Sequence, residues 1–351
     1  MRLEEYAPIS EAIVKQTLVQ KPCFPVFDIH THMGKLLLGQ DYALKYSTEE
    51  YVKYLRKCGV RMAVNLDGFY GEDLIQMKEK IGGFNDFFIN FMWIDFDHYD
   101  DPKFSELTKS LILESYRKGA RGIKLWKDIS LYKHDKHGKP IRTDDPKCSV
   151  IFNTAAELNI PVLMHIGDPT AFFKPTNAVN ERYEELSQNK DWDFSDHNKY
   201  MSFNELIEMQ ENTIRLYPET KFIIAHVGSY AENLSWVQDQ LRKYPNMNID
   251  ISARVAELGR VPYSARKMFE NYSTQILFGT DTTPMNLGWH EITYRFLESE
   301  DEYFSYQPFG DAPGQGRWSI YGLGLTADVL RDVYYRNACR LLDIDVKKFE
   351  E

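Results

Sequence analysis

Histidines and one aspartate lie at the ends of several short apolar runs in this sequence. His30 and His32 occupy DIHTH, His165 lies in LMHIGD, His226 in IIAHVG, and Asp281 ends LFGTD. Because side chains alternate between the two faces of a strand, His30 and His32 face the same side and can bind one metal ion. Imidazole and carboxylate ligands suit Zn²⁺, with Mn²⁺, Fe²⁺ or Ni²⁺ as alternatives. The pattern therefore predicts a divalent metal site.

Each of these side chains, taken singly, could instead be a hydrogen-bonded core residue. Five polar groups at one end of a fold are costly to bury without partners, so their convergence favours a common ligand. Asp28 shares the face of His30 and His32 and could either support them or bond to the strand ends. His134 and His137, in KHDKHGK, have no apolar neighbours in sequence, which indicates a solvated loop.

Four further residues are candidates for substrate binding. Lys124, in RGIKLW, could pair with an acidic substrate or be a buried lysine with a partner. Trp126 follows on the same face and could form an aromatic wall or pack in the core. Arg254 could bind a carboxylate through its planar fork or form a structural ion pair. His290 lies in the last long connection.

Eight short apolar runs rich in β-forming residues must position these groups, and segments with helical spacing separate most of them. Two helix starts are marked by Ser47 with Glu50 and by Ser202 with Glu205. Alternating strands and helices predict parallel strands, and eight such units close into a (β/α)8 TIM barrel. An open doubly wound sheet is the alternative, but no glycine-rich phosphate turn follows the first run. The runs are 25–32, 61–66, 87–94, 122–126, 161–165, 221–226, 247–251 and 275–281.

Two connections are unusually long, 167–201 and 282–318, and both would emerge at the face where barrel enzymes hold their active sites. Long loops at this face suggest a lid. No repeat or Pro/Ser-rich linker divides the chain, so we expect one domain over residues 1–351.

Composition excludes several classes of function. The net charge of −10 argues against nucleic acid as a partner, because such proteins need clustered Lys and Arg. The four cysteines lack CxxC spacing, which suggests neither a disulfide framework nor a thiolate metal site. No run is long enough to span a membrane, and the N-terminus lacks a signal-peptide pattern. We therefore expect a cytoplasmic protein without a membrane partner.

The motifs DIHTH, RGIKLW, VLMHIGDP, FIIAHVG, ILFGTD and YYRNACRLL occur in the order seen in the amidohydrolase superfamily. Over nearly its whole length the chain resembles the amidohydrolase-related branch, which includes the aminocarboxymuconate semialdehyde decarboxylase group. The resemblance implies that His30, His32, His165 and Asp281 surround the metal. It also implies that His226 is a further ligand or a catalytic group.

The resemblance leaves the role of Lys124 open. Some branches of the superfamily use a carboxylated lysine on the fourth strand to bridge two metals, whereas the single-metal decarboxylases lack such a bridge. Lys124 is thus a bridge, a substrate contact or a structural lysine. One ion is favoured over two, and Zn²⁺ is the expected ion.

The leading functional hypothesis is a metal-dependent hydrolase of a small anionic molecule with an amide, lactone or ester bond. A metal-activated water would attack, Asp281 would accept its proton, and His226 would stabilise the oxyanion or move the proton.

Two other hypotheses remain open. The same residues could serve a non-oxidative decarboxylase or lyase acting on a small carboxylic acid. A non-catalytic barrel that binds a metabolite or a metal is the third. Barrels of this type often associate, so a homo-oligomer is a family-level expectation.

Overall fold

The computed structural model describes residues 10–35, 39, 46–307 and 314–350. Residues 1–9, which belong to the segment that lacks a signal-peptide pattern, lie outside this range. The same holds for 308–313, within the second long connection. None of the described helices is long and apolar enough to cross a membrane.

Eight parallel strands pair in sequence order, each with the next along the chain. Hydrogen bonds from Ile29 N to Phe278 O (3.1 Å) and from His32 N to Thr282 O (2.9 Å) bring the last strand against the first. The predicted barrel is thereby confirmed. The strands are β1 Val26–Thr31, β2 Val60–Gly68, β3 Phe88–Met92, β4 Ile123–Leu125, β5 Val162–Met164, β6 Phe222–Ile224, β7 Met247–Asp250 and β8 Ile276–Leu277.

Helices follow the strands and cover the outside of the barrel. Strands such as β5 and β6 are apolar and buried at every position, as expected for parallel strands covered on both faces. The helices are α1 Thr48–Lys57, α2 Gly71–Ile81, α3 Phe104–Arg117, α4 Asp128–Leu131, α5 Ser149–Glu157, α6 Tyr183–Gln188, α7 Phe203–Leu216, α8 Leu234–Lys243, α9 Val255–Leu258, α10 Pro262–Tyr272, α11 Trp289–Glu298, α12 Ala327–Arg331, α13 Asn337–Leu342 and α14 Lys347–Glu350.

Both predicted helix starts are confirmed. The Ser47 side chain accepts a hydrogen bond from Glu50 N at the start of α1. Ser202 and Glu205 form a capping box at the start of α7, in which each side chain accepts from the backbone of the other residue.

The structure differs from the sequence prediction mainly where strands end. Each predicted run overlaps an observed strand. The strand β2 extends beyond its predicted run at both ends, whereas β4, β5, β6 and β8 have only three, three, three and two residues. The connection 282–318 is also not purely a loop, because it contains α11, whose buried side chains include Tyr294 and Leu297. Apolar spacing in WHEITYRFLE is the signal for this helix.

Candidate active site

The first strand presents two imidazoles to one carboxylate at the C-terminal end of the barrel. His30 Nε2 lies 3.5 Å from Asp281 Oδ1, and His32 Nε2 lies 3.3 Å from the same oxygen. Asp281 follows β8 in a left-handed backbone conformation (φ 63°), and its N–H bonds to His30 O at 2.8 Å. The predicted convergence of these three residues is therefore present.

Buried acceptors hold the other nitrogen of each imidazole. His30 Nδ1 lies 2.8 Å from Asp250 Oδ2, and His32 Nδ1 lies 2.8 Å from Asp67 Oδ1. Because a carboxylate can only accept, Nδ1 of each ring carries a proton and donates it. Nε2 is then left to bind a metal, an arrangement typical of metal-ligating histidines.

His226 and His165 form a second pair on the neighbouring strand ends. His226 Nδ1 donates to Ser252 O (2.9 Å), and His165 Nε2 donates to Asp168 Oδ1 (3.3 Å). The remaining nitrogens, His226 Nε2 and His165 Nδ1, face one another at 3.3 Å. In these tautomers both nitrogens carry lone pairs directed toward the same place, where a cation could bind. His226 Nε2 can thus bind a metal or accept a proton, but it has no proton to donate.

The pKa shifts of His165 and His226 agree with these assignments, whereas that of His32 favours a second proton on its ring in the metal-free protein. Burial lowers the pKa of His165 to about 4 and that of His226 well below its usual value, so both rings are neutral. Burial also opposes the charged form of His32, but hydrogen bonds to Asp281 and Asp67 outweigh it and raise its pKa to about 9. Without a metal, a proton on His32 balances the two carboxylates that flank it.

A divalent ion fits this donor set. One ligand atom each from His30, His226 and Asp281 lies within 4.8 Å of the other two. Burial would raise the pKa of Asp281, but the neighbouring His30 and the hydrogen bond to His32 hold it well below its usual value. The chain therefore offers unprotonated imidazole nitrogens and an ionised carboxylate. His32 contacts these three residues through Asp281, and His165 contacts them through His226.

Lys124 projects from β4 into the same site. It is 1% exposed, and its Nζ lies 3.5 Å from His30 Nε2. Burial lowers its pKa to about 8, although the charges of Asp281, Asp250 and Asp67 oppose the shift. No acidic side chain among the described residues forms an ion pair with it. Lys124 is thus a buried cation without an ion-pair partner beside the proposed ligands.

A cavity of about 440 Å³ opens above these residues. Trp126 lines one side, and its ring stacks on that of Trp93 with the two centroids 6.1 Å apart. Arg254 lines another side. Its Nη1 donates to Ala253 O (2.9 Å), and within the described part of the chain no acidic side chain pairs with it. A separate cavity at the opposite end of the barrel contains none of the candidate residues.

The structure places His290 away from the cavity, which corrects its prediction as a substrate contact. Its side chain on α11 is completely buried, and its Nε2 lies 3.1 Å from Asp28 Oδ2. The loop containing His134 and His137 is exposed, as predicted.

Sequence reasoning missed the acidic residues that hold the imidazoles. Asp67 lies at the end of the second apolar run and Asp250 at the end of the seventh, so the strand-end argument that found Asp281 would have found them too. Asp168 follows His165 by three residues and also faces the Nζ of Lys127. Three residues is a helical spacing, but residues 165–169 form no helix, so the sequence held no signal for the contact.

Residues 92–344 match the family model described as amidohydrolase. None of the curated proteins compared matches the sequence. Solved structures of similar fold include a dihydroxybenzoic acid decarboxylase from Polaromonas sp. JS666 with bound manganese, 13% identical, with a TM-score of 0.55 over 93% of this chain and 99% of that chain.

Two others have the same barrel. A putative 2-pyrone-4,6-dicarboxylic acid hydrolase from Pseudomonas putida is 13% identical, with a TM-score of 0.52 over 92% of this chain and 98% of that chain. An amidohydrolase from Burkholderia multivorans with bound zinc is 12% identical, with a TM-score of 0.50 over 92% and 100%. Such low identities establish a shared fold, while the family match covers well over half of the sequence. The chain therefore belongs to the amidohydrolase family.

Proposed function

We propose that the protein is a metal-dependent hydrolase that cleaves an amide, lactone or ester bond in a small anionic substrate. The main support is the Asp281 carboxylate, which faces Nε2 of both His30 and His32 while 34% of its side chain remains exposed. An ionised acid that touches the ligands and remains accessible can accept a proton from a water molecule at the same place.

Each proposed role follows from a contact. His30, His32 and His226 would hold a divalent ion through their unprotonated nitrogens and Asp281 through its carboxylate, with His165 beside them. When bound, such an ion supplies a Lewis acid that polarises a carbonyl and lowers the pKa of water. Asp281 would take the proton. We assign His226 to the ligands, because its N–H already bonds to Ser252 O.

The nature of the ion is part of the proposal. Similar folds hold manganese in one solved structure and zinc in another, which supports a divalent ion. We propose zinc, one per chain, because imidazole and carboxylate ligands suit it. Lys124 then acts as a free cation for the substrate and not as a bridge between two metals.

Arg254 and Lys124 support an anionic substrate. Both side chains line the cavity, and among the described residues neither has an acidic partner. A carboxylate can bond to Arg254 through two parallel N–H groups. The aromatic wall at Trp126 would pack against a planar part of the same molecule.

A decarboxylase is the second candidate, and the position of Lys124 favours it. A cation 3.5 Å from His30 Nε2 could hold a substrate carboxylate against the proposed ligands, where it could depart as carbon dioxide. The two reactions differ in where atoms from water appear in the product.

The test is turnover of zinc-loaded protein on a panel of carboxylate-bearing lactones, esters and amides and on aromatic carboxylic acids. In H₂¹⁸O, hydrolysis places ¹⁸O in the product carboxylate, whereas decarboxylation releases carbon dioxide and takes a hydrogen from solvent at the vacated carbon. Carbon dioxide release without ¹⁸O incorporation would replace hydrolysis by the second candidate. Tight ligand binding without turnover on any substrate would favour a non-catalytic barrel.

A further inference from the structure

The buried carboxylate of Asp28 joins the first and last strands next to the proposed metal ligands. Its Oδ1 accepts hydrogen bonds from His30 N (3.1 Å) and Thr280 N (3.2 Å). Its Oδ2 accepts one from the Thr280 hydroxyl (2.6 Å) and lies 3.1 Å from His290 Nε2. Because the carboxylate is the acceptor, His290 donates the fourth bond.

The residue that Asp28 holds immediately precedes Asp281. Thr280 is fixed to Asp28 through its N–H and its hydroxyl, and Asp281 N bonds to His30 O at 2.8 Å. The left-handed conformation of Asp281 (φ 63°) is an uncommon one for a residue with a side chain. Bonds to β1 on both sides of the Thr280–Asp281 peptide keep this turn in place.

His290 approaches Asp28 from α11, outside the cavity. Its ring is completely buried among Tyr54, Phe278 and Tyr294, with centroids 6.0, 6.3 and 6.2 Å away. An apolar ring would pack equally well there. What the imidazole adds is one donor for Asp28, since its Nδ1 has no partner among the described residues.

We infer that His290 is a positioning residue, which acts through Asp28 to hold the Thr280–Asp281 turn so that the Asp281 carboxylate meets His30 and His32. This inference rests on the proposed metal site and extends it to a helix that contributes no ligand. Loss of the donor would leave one oxygen of Asp28 with only the Thr280 hydroxyl. The turn could then relax and shift the carboxylate relative to the imidazoles.

The experiment measures Co²⁺ binding to metal-free protein, by competition with a chromophoric chelator and by visible absorption, which reports ligand geometry. His290→Phe keeps the ring packing and removes the donor. His290→Gln places an amide N–H near the position of Nε2. Thr280→Val removes the other side-chain donor to the same oxygen. Thr293→Val is the matched control, because Thr293 is buried on the same helix and its hydroxyl donates to Trp289 O within that helix.

We expect His290→Phe and Thr280→Val to weaken Co²⁺ binding about tenfold and to change the absorption bands, as seen when partners of metal ligands are lost. His290→Gln should restore most of the affinity, and Thr293→Val should match the parent protein. Unchanged affinity and spectrum in both His290→Phe and Thr280→Val, with normal binding by the parent, would overturn the positioning role alone. An equal loss in Thr293→Val would do the same. If the parent protein bound no Co²⁺, the proposed metal site would fail as well.

Discussion

Asp281 combines two properties that a proton acceptor next to a metal needs. Contacts with His30 and His32 keep its pKa well below the usual value, so the carboxylate is ionised at neutral pH. Such an acid is a weak base towards ordinary water. It becomes an effective acceptor only if the pKa of the water is itself lowered, as a divalent ion does. The basicity of Asp281 is thus useful only in the metal-loaded protein.

Replacing this carboxylate tests its role directly. Asp281→Asn retains the shape of the side chain but cannot accept a proton, so we expect turnover to fall about 100-fold or more at saturating metal. The measurement is kcat with parallel metal analysis. Asp135→Asn, in the exposed loop of His134, is the control and should not change turnover. Near-normal turnover of metal-saturated Asp281→Asn would shift the role of proton acceptor to another residue.

Lys124 offers a second test at the level of a single side chain. If it binds substrate, Lys124→Met should raise KM about tenfold or more for an anionic substrate and leave the metal content at one ion per chain. The physical reason is the loss of a buried cation that has no ion-pair partner among the described residues. Lys221→Met is the control, because that lysine bonds to Asn159 O away from the cavity. A fall from two ions to one in Lys124→Met would instead establish a bridging role.

The sequence predicted which side chains converge better than it predicted their protonation. His30, His32 and Asp281 could be found because each lies at a strand end, a position that depends only on local pattern. The tautomer of His165 depends on Asp168, three residues later in a segment that is not a helix, and the tautomer of His226 depends on Ser252 on another segment. Their facing lone pairs therefore became visible only in three dimensions.

At the scale of elements, short strands end in tight turns at the site. His226 (φ 57°), Ala253 (φ 53°) and Asp281 (φ 63°) all have left-handed backbones just after β6, β7 and β8. Such conformations are uncommon outside glycine and are found where the surrounding structure enforces them, often at active sites. The predicted runs were too long here, because apolar pattern alone does not show where a chain must turn.

Asp128 at the start of α4 gives an expected pH dependence. Burial raises its pKa to about 6, although Lys133 and the N–H of Ile129 oppose the shift. Its pKa in the unfolded chain is about 4. The raised value means that this carboxyl costs no stability at low pH and that stability is lost as pH rises from about 4 through about 6.

We therefore expect Asp128→Asn to be more stable than the parent protein at neutral pH, by about 1 to 2 kcal/mol after allowance for solvent screening. The gain should grow between about pH 4 and 6 and then level off. Urea unfolding at a series of pH values measures it. Asp135→Asn should show the opposite trend, because a hydrogen bond from Lys139 N lowers the pKa of Asp135. A gain that does not vary with pH would contradict the assignment.

At the scale of the whole molecule, ion pairs join the long loops around the cavity. Arg182, in the connection after β5, is buried and pairs with Glu185 (2.7 Å) and with Glu257 of α9. Nearby, Arg260 pairs with Glu181 (2.9 Å). Segments that follow different strands are thereby held together at the mouth of the barrel.

Of these ion pairs, the buried Arg182–Glu257 pair should contribute most to the free energy of unfolding. Arg182→Met leaves Glu257 buried without its partner, which we expect to cost about 3 kcal/mol or more. Arg260→Met removes a partly exposed pair and should cost about 1 kcal/mol or less. Denaturant unfolding of both variants gives the comparison. Equal effects would mean that Arg182 contributes no more than a surface ion pair.

The sequence predicted the barrel because the same pattern, an apolar run followed by a helical segment, recurs eight times along the chain. It could not predict how the connections pack, since contacts such as Arg182 with Glu257 join residues far apart in the chain. Substrate specificity depends on those connections. The family and the side chains that converge at the strand ends are therefore accessible from sequence, whereas the choice of substrate is not.

The closure of the barrel through His30 and Asp281 also has a consequence for biosynthesis. A ribosome that has just added His30 to the chain must add about 250 more residues before Asp281 exists, which takes roughly 12 to 50 s at typical rates of synthesis. A nascent chain therefore exposes both histidines of β1 long before the bond from Asp281 N to His30 O can form. If the site binds a metal as proposed, loading of the complete site must follow translation, and until then the edge of β1 that later meets β8 is unpaired, where chaperones or stray metal ions can act.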